Sequence, residues 1–131
     1  MQALFDLLGR FPQPLLVIGG HALAAHGVAR QTVDVDLLFV DAPTFDRLES
    51  GGVPLQRGRV TLHAPALPHL IALKLHAIRN NPAREAGDLG DIARLLHANR
   101  EAIAANELAA LCEQFGPPGI NAKLQTLLAA P

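Results

Sequence analysis

Two aspartates, Asp34 and Asp36, stand two positions apart in the apolar run VDVDLLF, a spacing that suits metal binding. On a β-strand, residues two positions apart project from the same face, with Cα atoms roughly 6.5–7 Å apart. Two carboxylates placed in this way can converge on one divalent cation. Mg²⁺ prefers such oxygen ligands and usually keeps phosphate and water in its remaining positions. The pair therefore predicts a site for a metal-bound phosphate.

The surroundings of this pair favour a functional role over a solvent-facing one. The valines and leucines around Asp34 and Asp36 indicate burial, whereas aspartate is depleted in strands. Two like charges on a partly buried face also repel one another, and a bound cation would remove that repulsion. The alternative is a solvated pair of the kind that occurs by chance in many strands.

A glycine pair, Gly19-Gly20, directly follows the apolar segment 15–18 and precedes the aspartates. Glycine allows backbone conformations and close approaches that a Cβ atom would block. A helix that begins just after the pair would offer unbonded N–H groups and the positive end of its dipole to a phosphate. The alternative is an ordinary strand-to-helix turn that needs small residues.

The composition is that of one globular domain without a strong charge of either sign. The chain has 131 residues, half of them hydrophobic, and a formal net charge of −1. It can therefore bury a core, and nothing in its charge favours general binding to nucleic acid. The single cysteine, Cys112, rules out an internal disulfide, and its helical surroundings favour a buried structural thiol over a nucleophile. Because no leader and no membrane-spanning run is predicted, we expect a cytoplasmic protein.

Hydrophobic periodicity and turn residues predict an α+β fold with a helical C-terminal half. Strands are predicted at 15–18 and 33–40, with one or two more at 53–64, and helices at 1–9, 21–26, 43–50, 68–80, 85–99, about 106–115 and 121–130. These elements predict a small mixed β-sheet of about three to four strands packed against helices. No linker is long enough to separate two domains, so 1–131 is predicted to be one domain, with a sheet and active-site half at 1–64 and a helical half at 65–131.

Capping residues mark three of the predicted boundaries. Gly27 is expected to end the helix at 21–26 in a left-handed conformation. Asp41 or Thr44 is expected to cap the helix at 43–50, and Asn106 the helix that runs to about residue 115.

Together, these motifs resemble the nucleotidyltransferase superfamily, which has the polymerase-β-like fold. In that superfamily a G-G or G-S turn precedes a D-x-D strand by ten or more residues, as Gly19-Gly20 precedes Asp34-Val-Asp36 here. The wider sequence, over residues 15–97, is similar to the small bacterial AbiEii/AbiGii toxin-like branch. The shared features are GG-x-A, R-x-T-x-D-hydrophobic-D, the segment LIALKLHA at 70–77 and a later R…D-x-x-D helix at 84–91.

The resemblance implies a transfer reaction that depends on Mg²⁺ or Mn²⁺. A nucleoside monophosphate would pass from an NTP substrate to a hydroxyl of RNA or protein. On this basis Asp34 and Asp36 would hold the metal ions and act in catalysis. Gly19, Gly20 and the backbone that continues from His21 would cradle the triphosphate.

The same resemblance gives roles to further polar residues. Arg30 and Thr32, which precede the aspartate strand, would contact the nucleotide or fix the loop. Lys74 would neutralise phosphate charge, and Asp91 would pair with Lys74 and position it; Asp88 is a weaker candidate. Each role has a structural alternative: a lysine can extend to solvent from an apolar helix face, and an Asp91–Lys74 pair could simply hold two helices together by charge.

The third carboxylate of such sites has no equivalent in this sequence. Active members of the superfamily normally carry it on a later strand, where it helps to hold the catalytic metal and can accept the proton of the acceptor hydroxyl. Here no Asp or Glu occurs between Glu49 and Glu85. His63 or Asp91 could take its place; alternatively, the site binds nucleotide without efficient transfer.

Three functional hypotheses follow. The first is a minimal nucleotidyltransferase that acts on tRNA or a protein, within a toxin–antitoxin or phage-defence pair and with a cognate partner protein. The second is a catalytically degenerate member that works as a nucleotide- or protein-binding module. The third is a purely structural helical domain. In each case the apolar C-terminal helices could close the core or form a homodimer face.

Overall fold

The computed structural model describes residues 2–10, 15–28, 36–39 and 41–130, which fall into two compact units, Met1–Ala66 and Leu67–Pro131. In the first unit the described elements are α1 (Gln2–Gly9), β1 (Leu15–Ile18), α2 (Gly20–Ala25), β2 (Asp36–Phe39), α3 (Ala42–Glu49), β3 (Val53–Arg57) and β4 (Val60–Ala64). In the second unit they are α4 (Leu67–Asn80), a 3₁₀ turn (Pro82–Arg84), α5 (Glu85–Ala98), α6 (Ala105–Phe115) and α7 (Ile120–Ala129). The predicted α+β class with a helical C-terminal half is confirmed.

Strands β1 and β2 pair antiparallel, in a register that sets Ile18 opposite Asp36. The apolar run of β1 is a buried strand, as predicted, since Leu16 and Val17 have no exposed surface. Because Ile18 is the last residue of β1 and Asp36 is the first described residue of β2, this register brings Asp36 to the turn that follows Ile18. The rest of the predicted strand, residues 33–35 and 40, lies outside the described residues.

Strands β3 and β4 form an antiparallel hairpin whose register sets Arg57 opposite Val60. The loop between them is Gly58-Arg59, and Gly58 has a φ of 60°, which suits the first central position of a two-residue hairpin turn. The region that was predicted as one or two strands is therefore two.

The arrangement of the strands differs from the single mixed sheet that was predicted. The strands that the structure describes form two separate antiparallel pairs, β1–β2 and β3–β4. The physical reason is that alternation of side chains defines a strand and its faces but does not identify its partner. Pairing depends on the turns and on tertiary packing.

The first unit has a small apolar core beneath these strands. The cluster contains Leu8 from α1, Val17 from β1, Leu55 from β3 and Leu62 from β4. Helix α1 packs on β4, α2 packs on β1 and β3, and α3 packs on β1. The core therefore holds the end of β1, and with it the glycine turn, in a fixed position.

The second unit is built from four α-helices that are amphipathic in the predicted way. Helix α4 packs against α5 and α6, and α7 packs against the same two helices. Leu75, Ile92, Leu95 and Leu124 have no exposed surface. Among the described residues, no helix is both long and apolar enough to cross a membrane.

Two of the three predicted caps are confirmed and one is wrong. Gly27 follows α2 with a φ of 88°, and Asp41 caps α3 by accepting a hydrogen bond of 2.8 Å from the Thr44 amide. Asn106 is not the cap of α6, because the helix begins two residues earlier than such a cap would require. The Leu108 amide donates to the Ala104 carbonyl at 3.0 Å, so Ala104 occupies the N-cap position and Asn106 lies inside the helix.

Candidate functional site

The glycine turn after β1 has a conformation that only glycine adopts readily. Gly19 has φ 72° and ψ −148°, a region of backbone space that is essentially closed to residues with a Cβ atom. Its carbonyl accepts the first helical hydrogen bond of α2, from Leu23 N at 3.0 Å. The turn therefore has a sharp, fixed shape that redirects the chain from a buried strand into a helix.

The same glycine is in close contact with the side chain of Asp36. A Cβ atom at Gly19 would collide with Asp36 Oδ2 and would lie 2.9 Å from Asp36 Cγ and 3.0 Å from its Cβ. This contact follows from the strand register, which sets Asp36 opposite Ile18. The exposed carboxylate of Asp36 thus lies directly over the Gly19 backbone. A larger residue at position 19 would prevent this contact.

The predicted cradle residues differ in their accessibility. Gly19 is half-buried and Asp36 is exposed, whereas Gly20 and His21 are buried. A ligand could therefore reach the turn at Gly19 and Asp36 more easily than at the first residues of α2. The predicted partners Arg30, Thr32 and Asp34 lie outside the described residues.

A buried hydrogen bond fixes the other end of α2. His26 Nε2 lies 2.7 Å from the Pro65 carbonyl oxygen, and both residues are buried. The bond joins residues 39 positions apart, so no local pattern could have revealed it. It anchors the short helix that follows the glycine turn.

The region where a third carboxylate would be expected contains none. Strand β4 packs beside β1, and neither β3 nor β4 carries Asp or Glu. His63 on β4, the suggested substitute base, packs edge-on against Phe45, with ring centroids 6.3 Å apart.

Lys74 and Asp91, predicted to act together, do form a contact within the second unit. Lys74 Nζ lies 3.1 Å from Asp91 Oδ2 and 3.5 Å from Asp88 Oδ1. All three residues are buried, with 8%, 4% and 6% of their surface exposed for Lys74, Asp91 and Asp88 respectively. Asp88, which was the weaker candidate, is therefore a full member of this cluster.

Two arginines from α5 and the turn before it complete the cluster. Arg84 Nε donates to Asp88 Oδ2 at 2.8 Å, and Arg94 Nη2 donates to Asp91 Oδ1 at 3.3 Å. Each buried carboxylate thus contacts Lys74 and one arginine. The spacing of 84, 88, 91 and 94 places these side chains along one helix face, a signal that was present in the sequence.

This arrangement compensates the buried charges within the protein itself. Burying an unpaired carboxylate or ammonium is costly, and pairing with hydrogen bonding offsets that cost. The Lys74 ammonium lies between two carboxylates, so the alternative in which charge holds two helices together is present in the structure. A role for Lys74 or Asp91 toward a nucleotide stays a prediction.

Cys112 and the metal-ligating side chains were the other candidates for chemistry among the described residues. The thiol of Cys112 is buried, and burial raises the pKa of that thiol above its ordinary value of 9.0, which disfavours the nucleophilic thiolate. Over the described residues, no three His, Cys, Asp or Glu side chains form a group that could hold a metal ion. Asp34, the predicted partner of Asp36, is not among those residues.

Comparisons with known proteins leave the family open. No model of a protein family matches the chain, and a search of curated proteins also gives no match.

Proposed function

We propose that this chain is a minimal nucleotidyltransferase that depends on Mg²⁺ and moves a nucleoside monophosphate from an NTP to a hydroxyl of RNA or protein. The observation that carries the proposal is the contact between Asp36 and Gly19. An exposed carboxylate lies against a backbone turn that a Cβ atom would obstruct, and both groups suit a ligand made of a cation and a phosphate.

The residues present fit a hard divalent cation in part. Asp36 offers carboxylate oxygens, the ligand type that Mg²⁺ prefers, and the missing Cβ atom of Gly19 makes room for that carboxylate. Asp34 is the second ligand on the evidence of the sequence pattern. When bound, the metal supplies stabilisation for the charge that develops on the transferred phosphate.

The chain's own contribution to transfer is positioning. Asp36 and Asp34 would hold the cation, which would neutralise charge on the phosphates of the NTP, and the Gly19 turn would let the phosphates approach the backbone. The bond from the α-phosphorus to the acceptor oxygen forms as the bond to pyrophosphate breaks, and the proton of the acceptor hydroxyl passes to water. We place this reaction in the cytoplasm, where a single cysteine fits the reducing conditions, and expect a cognate protein partner.

A second candidate function is a nucleotide- or protein-binding module of the same fold. The observation that favours it is the absence of Asp and Glu from β3 and β4, of which β3 packs against α2 and β4 packs against β1. Without a carboxylate there to accept the proton of the hydroxyl, the site would bind NTP and metal but transfer slowly or not at all.

One experiment separates the two candidates. The full chain is incubated with each α-labelled NTP, Mg²⁺, and either total tRNA or a candidate partner protein. We expect label transfer with the wild type and with the control Asp46→Asn, which alters an exposed carboxylate on α3, and loss of transfer with Asp36→Asn and Asp34→Asn.

Calorimetry with Mg²⁺ and a non-hydrolysable NTP then measures whether the chain binds the metal and the nucleotide, as the binding-module candidate requires. Binding by the wild type without any label transfer would exclude the enzyme and leave the binding module. If the wild type binds neither the metal nor the nucleotide, both candidates lose their basis.

A further inference from the structure

A polar cleft in the first unit lies away from the glycine turn, between helix α1 and strand β4. Its volume is about 450 Å³, and it is lined by Asp6, Arg10, Arg59, Val60 and Thr61. Small-molecule sites typically have volumes of about 300–1,000 Å³. The cleft is therefore large enough for a small ligand and larger than a single bare anion needs.

Hydrogen bonds fix both walls of this cleft. On the helix side, Gln2 Nε2 donates to Asp6 Oδ1 at 2.9 Å, and the side chain of Gln2 also packs against Gly58 in the hairpin turn. On the strand side, Thr61 Oγ1 donates to Gln56 Oε1 at 2.6 Å. The side chain of Gln2 thus links helix α1 to the hairpin turn at one end of the cleft.

Two guanidinium groups in this cleft retain most of their donors. Arg10 donates only one hydrogen bond, from Nε to the Asp6 carbonyl at 3.4 Å. Over the described part of the chain, Arg59 forms no hydrogen bond or ion pair. Guanidinium groups present several N–H donors in a planar fork that matches phosphate oxygens. The pair therefore favours an anion, and phosphate in particular.

The acceptors in the same cleft argue against phosphate alone. The Asp6 carboxylate would repel a bare phosphate, and the Thr61 hydroxyl has used its proton on Gln56, so both side chains offer acceptors. A sugar hydroxyl next to the phosphate would satisfy them. Among the described lining residues, two arginines and one aspartate give a net charge of +1, which balances the single charge of a phosphodiester and part of the charge of a phosphate monoester.

We propose that the cleft between α1 and β4 binds a sugar phosphate, with Arg10 and Arg59 on the phosphate and Asp6 on a sugar hydroxyl. Two sources share this chemistry: a free sugar phosphate, and the ribose-phosphate backbone of RNA. The site does not rest on the proposed transfer reaction, because neither Gly19 nor Asp36 lines it.

The test is an NMR titration of the full chain, recorded in EDTA and low salt so that no metal-dependent site contributes. The probes are ribose 5-phosphate, a six-nucleotide RNA and inorganic phosphate. We expect at least one of the first two to shift the amides of Val60 and Thr61, and to bind more tightly than inorganic phosphate.

Matched variants locate the binding. Arg59→Gln should weaken it about tenfold, the change expected when one charge-assisted hydrogen bond is removed, and Arg59→Lys should weaken it less. Arg100→Gln, which removes the same charge from an exposed position in the second unit, should have no effect. Asp6→Asn should reduce the preference for the sugar phosphate over inorganic phosphate.

The outcomes separate this site from the proposed function. Asp36→Ala should bind the probe as the wild type does, whatever its effect on label transfer. The proposal is overturned if neither sugar-containing probe binds, if Arg59→Gln behaves like Arg100→Gln, or if inorganic phosphate binds as tightly as the sugar phosphate. Binding of RNA alone identifies the nucleic-acid backbone as the source, and binding of ribose 5-phosphate alone identifies a small molecule.

Discussion

Carboxylates in two regions of this protein have opposite environments. Asp36 is exposed and lies against the backbone of Gly19, and over the described residues it forms no ion pair. Asp88 and Asp91, in the second unit, are buried and are held by Lys74 and by arginines of their own helix region.

The difference shows that an aspartate can be available to bind a ligand or can instead stabilise the fold, depending on its burial and its partners. A buried carboxylate needs compensation from the protein at all times, because its charge has lost its water. An exposed carboxylate needs none, so it can bind a cation without first breaking an internal pair. By this criterion Asp36 is the better candidate for ligand binding, and the Lys74 cluster is the better candidate for stability.

The largest expected effect comes from removing Lys74. Lys74→Ala leaves Asp88 and Asp91 buried with arginine partners alone, and we expect a loss of about 3–5 kcal/mol in the free energy of unfolding. The matched control is Lys123→Ala, which breaks a more exposed pair with Glu85 at 3.0 Å and should cost about 1 kcal/mol or less. Urea unfolding followed by circular dichroism measures both. Equal losses would show that the buried cluster is not the stabilising region.

A substitution at the glycine turn should have the next largest effect. Gly19→Ala combines an unfavourable φ with the collision against Asp36, and we expect a loss of about 2–4 kcal/mol. Gly119→Ala has a similar φ of 81° but no atom within 4 Å of its new Cβ, so it should cost only about 1–2 kcal/mol.

A double-mutant cycle isolates the contact itself. Gly19→Ala in an Asp36→Gly background should recover about 1 kcal/mol or more of the lost stability, because the collision is gone while the backbone strain remains. Additive losses in the cycle would mean that Asp36 does not lie over Gly19 in solution, and the proposed site would lose its supporting contact.

Asp41 offers an intermediate case, an exposed carboxylate that its own chain compensates. Hydrogen bonds from the Thr44 side chain, and then from the Thr44 backbone, hold the pKa of Asp41 below its ordinary value of 3.8. Because the folded pKa is the lower one, this contribution to stability is present above about pH 4 and is lost as the pH falls through the folded pKa. An NMR titration of Asp41 measures the pKa directly; a value at or above 3.8 would refute the prediction.

The smallest expected change in stability is that of Asp36→Ala. Asp36 is exposed and, over the described ranges, forms no hydrogen bond or ion pair, so its removal should alter the free energy of unfolding by less than about 0.5 kcal/mol. Asp91→Ala, which disrupts the buried cluster, should instead cost several times more. Thermal unfolding of the two variants compares them. A large loss of stability in Asp36→Ala would show that Asp36, like Asp91, stabilises the fold, and would contradict the prediction.

The elements of the fold could be predicted well because their signals are local. The apolar run at 15–18, the turn glycine Gly27 and the amphipathic stripes of the C-terminal helices each act within a few residues. Asn106 was wrongly predicted as a cap for the same reason, because its residue type suits an N-cap. The helix in fact begins after Ala104. Packing, and not residue type alone, decides which of two nearby residues takes the N-cap position.

What the sequence determined by itself was the set of chemical groups and their spacing, because side-chain type, glycine freedom and helical periodicity are properties of short segments. It placed Gly19 after a buried strand and Asp36 on a later one, whereas the pairing of Lys74 with Asp91 came from the resemblance to a family. Only the tertiary structure decided which groups meet and which are buried. Register brought Asp36 onto Gly19, and helix packing brought Asp88 into the Lys74 cluster, since such contacts depend on residues far apart in the chain.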